Sequence, residues 1–167
     1  MGIIAKKPES KFTPAPEGIH VAACCDVVDL GLQKTKFGDK HKIEIRWMLE
    51  DESEDGERFT VSQRYTNSLS DKATLRKVLE TWRGKPFTAE EESAGFDVER
   101  VLGAGCQIQV THSPREKGGV WANVSAVIPL GKGQKNPGVD PAYVRQKDRP
   151  TSNEREPGDE SEQGGGF

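Results

Sequence analysis

The stretch Lys40–Thr66, KHKIEIRWMLEDESEDGERFTVSQRYT, decides the fold, because it reads as two alternating strands joined by an acidic turn. In its first arm Ile43, Ile45, Trp47 and Leu49 recur at period two, with Lys42, Glu44 and Arg46 between them. That alternation is the mark of a half-buried strand. In the second arm Phe59, Val61 and Tyr65 share one row, and Arg58, Thr60, Ser62, Arg64 and Thr66 share the other. One face of such a hairpin packs and the other meets something polar.

Upstream, Gly18–Leu32 predicts a long strand in which Ile19, Val21, Ala23, Cys25 and Val27 form the apolar row and His20, Ala22, Cys24 and Asp26 the polar one. Its length suits a strand bent to serve two parts of one sheet. The connection Gln33–Lys40, QKTKFGDK, sets Lys34, Lys36 and Lys40 around a lone Phe37, a composition suited to tracking a phosphate backbone and stacking on a base. His20, on the polar row, is expected at the surface.

Downstream the period changes. Within Asn67–Gly84, Leu75, Val78, Leu79 and Trp82 fall at i, i+3, i+4 and i+7, which puts them on one helical face. Ser68 with Asp71 has capping-box spacing, and Gly84 with Pro86 supplies a stop. Trp82 completes the apolar stripe and is expected to plug the sheet, while Lys72, Arg76, Lys77 and Arg83 read as a solvated helix face. Phe87–Gly103 is a polar connector with one or two helical turns, and Thr88 with Glu91 again has capping-box spacing. Two further strands follow, Gly105–Ser113 with Cys106, Ile108 and Val110 inward, and Gly119–Leu130 with Val120, Ala122, Val124 and Ala126 inward. Trp121 then stands on the polar row of the last strand, and Arg115 and Lys117 sit in the loop before it.

The order strand, strand, strand, helix, strand, strand predicts an all-β fold with one helix, the five-stranded OB-fold Greek-key barrel. Such barrels bind oligonucleotides on strands two and three and on the loops between strands one and two and between strands four and five. On that plan the nucleic-acid-binding residues are Lys34, Lys36, Phe37, Lys40, Lys42, Arg46, Arg58, Arg64, Tyr65, Arg115, Lys117 and Trp121. The chain divides into a flexible arm, 1–17, a barrel, 18–130, and a disordered acidic tail, 131–167, whose Pro, Gly and charged residues cannot offset their ordering entropy.

Charge and composition bound the function. The chain has 167 residues, 33% hydrophobic and 31% charged, enough for one compact domain with polar tails. It has no apolar run long enough to span a membrane and no secretory leader, so a cytoplasmic protein is expected. The three cysteines make neither a disulfide framework nor a zinc spacing, and read as small core residues. The net charge of −3 conceals a basic scaffold, because the turn Glu50–Glu57 holds six acids and residues 154–167 hold five against one arginine. The acidic turn is expected to project away from bound nucleic acid.

No phosphate loop, dinucleotide motif or metalloprotease motif occurs, and His20, His41 and His112 fall singly on separate segments. Asp26, Asp29, Asp39 and Glu44 could gather around magnesium in a nuclease-like site, but their spacing gives no sign of it. No catalytic residue, cofactor or metal is expected.

The run YTNSLSDKATLRKVLETWRGKPFTAEE, Tyr65–Glu91, with GFDVERVLGAGCQIQVTH and WANVSAVIPLGKG after it, resembles a family of small phage and prophage replication-module proteins described as replication-initiation or single-stranded DNA-binding proteins. The resemblance covers 18–133 and implies a barrel that binds single-stranded DNA in replication or recombination. The acidic tail ending in Phe167 is similar to the tails of bacterial single-strand-binding proteins, which implies docking of Phe167 on replication or repair partners. Here three glycines precede Phe167, which departs from that pattern. An adaptor that recruits or inhibits a replication enzyme is the alternative function, and a magnesium-dependent nuclease a remote one. RNA in place of DNA, and a homo-oligomer, stay open at this level.

Overall fold

The computed structural model describes residues 14–149. Among them are β1 (Gly18–Thr35), β2 (Gly38–Glu52), β3 (Arg58–Thr66), α1 (Thr74–Arg83), α2 (Ala89–Ala94), β4 (Gly105–Pro114) and β5 (Val120–Ile128). The strands form one antiparallel sheet in the order β3-β2-β1-β4-β5. β1 is long enough to pair twice, with β4 through Gly18–Ala23 and with β2 from Ala22 onward. Two bulges, between Cys24 and Asp26 and between Asp29 and Gly31, bend it. The sheet curls until its edges meet, where the Val124 amide donates to Gln63 Oε1 at 3.1 Å. The fold is thus all-β and barrel-like, with one main helix. Among the described residues no helix is long and apolar enough to cross a membrane.

The period-two rows of the hairpin set the core. Ile43, Ile45, Trp47 and Leu49 of β2 and Val61 and Tyr65 of β3 are buried against Cys106, Ile108 and Val110 of β4. α1 closes the barrel with Leu75, Leu79 and Trp82. The Trp82 ring lies 6.0 Å from that of Trp47, and its Nε1 donates to the Gly105 carbonyl at 3.1 Å. Each such large side chain contributes about 1.5–3 kcal/mol by leaving water. Gly84 ends α1 in the left-handed conformation (φ 77°) that glycine adopts without strain, and Thr88 and Glu91 form the capping box of α2.

Several expectations are corrected. In β1 it is Ala22 and Cys24 that face the core, and Ile19 is 61% exposed. The bulge after Cys24 then shifts the phase and returns Val27 to the inside. A bulge opposite Gln109 and Val110 does the same in β5, so the inward residues are Val124 and Val127. His20 is buried, its Nε2 donating to the Pro16 carbonyl and its Nδ1 2.9 Å from Asp51. Ser68 and Asp71 do not cap α1, whose N-cap is Ala73 without a side-chain hydrogen bond; Ser68 accepts from the Ser70 amide and Asp71 pairs with Arg76. Arg76 and Arg83 are not simply solvated either. Arg76 also pairs with Glu80 and Glu92, Arg83 pairs with Glu91, and both lie over the Phe87 ring.

The largest correction concerns 131–149, expected to be disordered. Residues 138–149 lie as a strap across the outer face of β1 and β2. Asp26, fully buried at the β1 bulge, accepts from Tyr143 Oη (2.8 Å), Arg145 Nε (3.1 Å) and the Gln146 amide (2.7 Å). A buried carboxylate requires such donors, and a segment with few apolar residues still docks when it supplies them. Of the arm, residues 14–17 dock as well: Ala15 is in the core and its carbonyl accepts from His112 Nε2.

Candidate nucleic-acid interface

The open polar face is built on the outer row of β3, where alternation puts Thr60, Ser62 and Arg64 outward while Val61 and Tyr65 pack. Across the seam where β3 meets β5, Trp121 closes a hollow of about 250 Å³ that Glu44, Arg46, Thr60 and Ser62 also line. Trp121 is 55% exposed, and the Arg115 guanidinium lies 4.2 Å from its ring centroid. An exposed indole with a cation on one face keeps its other face for a flat partner.

Two arginines share one buried acid beside this hollow. Glu44 Oε2 accepts from Arg46 Nε at 2.6 Å and Oε1 from Arg64 Nε at 3.1 Å. Partial burial of Arg46 works against its charge, yet the bond to Glu44 prevails and holds its pKa above the ordinary value. The trio carries a net positive charge, mostly through Arg64, whose side chain is 66% exposed.

The first rim is the tight turn between β1 and β2. Thr35 Oγ1 accepts from the Phe37 amide and donates to the Gly38 carbonyl, which leaves Phe37 81% exposed with Lys34, Lys36 and Lys40 exposed around it. Lys42 donates to Thr66 Oγ1 at 2.9 Å on the adjacent strand pair. Arg115 and Lys117 occupy the second rim, between β4 and β5.

Two of the residues expected at the site are engaged elsewhere. Arg58 donates to the carbonyls of Leu49 (2.7 Å) and Gly138 (2.9 Å), holding the irregular end of β2 and the strap. Tyr65 lies in the core at 4% exposure, and burial pushes its phenol pKa up. Phe167 lies outside the described residues. Thr60 and Ser62 had been read only as polar-row residues; hydroxyls carry no charge signal in a sequence, and their place beside Trp121 depends on the curl of the sheet. Glu44 likewise gave no sign of tying two arginines together.

The described residues offer little nucleophilic or metal chemistry. Cys24, Cys25 and Cys106 are buried, and burial pushes the Cys25 thiol up to about 11 and that of Cys106 up to about 12. Thiols so placed stay protonated at neutral pH. Among the described residues no three His, Cys, Asp or Glu side chains are placed to hold a metal ion. Asp26 faces the strap and Asp29 pairs with His41 at 2.6 Å. No family model matches the chain, and no curated protein matches it significantly.

Proposed function

We propose that this chain binds single-stranded DNA with little sequence preference, in a phage replication or recombination module. The observation that carries the reading is Trp121, half exposed and backed by Arg115, in one hollow with Arg46 and Ser62 on the β2–β3 face. A half-exposed indole at the seam of a polar face offers a stacking plane, and a nucleobase fits the free ring face whatever its identity. Lys34, Lys36, Lys40, Lys42 and Arg64 supply the cations that follow phosphates, and Phe37 offers a second stacking surface. The strand order, the meeting of β3 with β5 and the helix between β3 and β4 support reading the sheet as an OB-fold, whose ligand face this is. The phage setting rests on the sequence resemblance alone.

Fluorescence anisotropy with labelled oligo(dT), and with duplex of equal length, tests this. The single strand is expected to bind more tightly, with affinity falling as salt rises. Trp121→Ala is expected to cost about 1–3 kcal/mol of binding. Of the three tryptophans Trp47 and Trp82 are buried, so quenching of intrinsic fluorescence by oligo(dT) reports on Trp121 and disappears in the variant. No binding at low salt, or binding indifferent to salt, refutes the reading and favours a protein adaptor.

A further inference from the structure

Beyond the end of β3, a second and larger hollow of about 540 Å³ opens between β3, β5 and the start of α1. Four cations line it: Lys40 and Lys42 from β2, Arg64 from β3 and Lys72 from the turn before α1. Among the described residues no carboxylate lines it. Of the acids that adjoin the lining, Asp71 is turned to Arg76 and Glu44 is committed to Arg46 and Arg64, while Asp39 adjoins Lys40 without lining the hollow. On a chain whose acids outnumber its bases 27 to 24, a cavity lined by four bases and no acid is a pronounced local departure.

Its neutral lining is also built from donors. Ser68, Ser70 and Thr74 bring hydroxyls, and Ala73 and Thr74 begin α1, whose first turn holds no acidic residue and whose N-cap makes no side-chain bond. The first amides of that helix therefore keep their hydrogens free of a side-chain cap, with the positive end of the helix dipole behind them. Tyr65 lines the inner wall, and its buried hydroxyl has no hydrogen-bond partner among the described residues. The cations, the hydroxyls of Ser68, Ser70 and Thr74 and the uncapped amides share one need, an oxyanion acceptor.

We propose that this hollow is a phosphate-binding site, and that a single strand crossing the β2–β3 face turns into it and places a backbone phosphate between Lys72, Lys42 and the α1 N-terminus. The inference rests on the reading of the protein as a single-strand binder for its ligand, but the site itself is defined by its own residues. It adds Lys72, Ser70 and Thr74, which no reading of strand alternation brings to the interface. It also gives the bound strand an exit from the sheet, over the end of β3.

Lys72→Glu tests it, with Lys77→Glu as the control of equal charge change on an exposed lysine of α1. In oligo(dT) titrations Lys72→Glu is expected to weaken binding about tenfold in 0.1 M salt and to lower the log-affinity against log-salt slope by at least about 0.7. Lys77→Glu is expected to leave the slope at the parental value. Equal effects of the two variants on the slope, or no effect of Lys72→Glu while the parent binds, overturn the proposal. A second arm separates the site from the function: inorganic phosphate titrated into ¹⁵N-labelled protein. Amide shifts at Ser70, Lys72 and Thr74 that vanish in Lys72→Glu support the site even where oligo(dT) fails to bind, an outcome that sinks only the single-strand reading. Shifts scattered over exposed lysines, or absent, overturn the site.

Discussion

Arg58 and Arg64 stand on the same row of β3, yet their surroundings assign them opposite work. Arg58 is half-buried and donates to backbone carbonyls at the irregular end of β2 and in the strap. Arg64 is mostly exposed, and among the described residues its guanidinium bonds only to Glu44. Arg58→Ala is expected to lower stability by about 2 kcal/mol in urea unfolding, since bonds from a charged donor are lost. It is expected to leave the salt slope of oligo(dT) binding unchanged. Arg64→Ala should do the reverse, with stability within about 0.5 kcal/mol of the parent and a slope lower by about 0.7. A slope that falls equally in both variants refutes this division. Alternation placed both arginines on the outer row correctly, but it carries no information about which carbonyls a side chain will reach. Tyr65 shows the same limit from the other side, because its row was legible as packed while its residue type suggested a ligand.

Among the elements, β1 and the strap teach most about what the chain encodes. The apolar and hydroxyl rows of β2, β3 and β4 and the stripe of α1 were legible because an uninterrupted period maps directly onto a face. In β1 the row of His20 and Asp26 also holds Ala22 and Cys24, which are small enough to pack, and one bulge suffices to exchange the roles of the two rows. The strap was illegible for a different reason: its binding energy comes from Asp26, and nothing in the sequence says that this carboxylate is buried and needs donors. Burial of Asp26 opposes its ionisation, but the Gln146 amide, Tyr143 and Arg145 outweigh burial and bring its pKa below the ordinary value. A carboxylate with a depressed folded pKa adds stability above its unfolded pKa, about 3.9, and loses it as pH falls through the folded value. Protection of the Gln146 amide from hydrogen exchange is therefore expected to hold at pH 5 and above and to decline below about pH 4. Tyr143→Phe, which removes one bond to a charged acceptor worth about 1.5 kcal/mol, should lower that protection roughly tenfold. Unchanged protection at Gln146 in the variant means that the strap is held by something other than Asp26.

At the scale of the whole molecule the question is how a chain of net charge −3 would present the proposed binding face to a polyanion. Charge counting alone located the answer in part, since it set the acidic β2–β3 turn apart from a basic scaffold. The curl of the sheet adds what counting cannot. Thr60 lines the hollow with Trp121, and β3 begins only two residues earlier, at Arg58, so the acidic turn leaves the barrel at the Trp121 end of the face. The turn is closed by the Ser53 amide donating to the Glu57 carbonyl at 2.8 Å, and none of its acids lines the Trp121 hollow. Glu57 precedes Thr60 by three residues, about 10 Å of extended strand and close to one screening length at 0.1 M salt. Its carboxylate must then repel a phosphate placed beside Trp121 at low salt and become invisible to it at high salt. Glu57→Gln, which keeps the backbone bond to Ser53, is expected to raise oligo(dT) affinity about twofold at 50 mM salt, with the gain gone by about 0.5 M. Glu90→Gln, the same change on α2, controls for net charge and should give no such gain. An equal gain from both substitutions shows that the protein's overall charge, and not the position of the turn, governs binding; no gain from Glu57→Gln shows that the strand does not reach the Trp121 end, and the path across β2 and β3 must then end before Ser62.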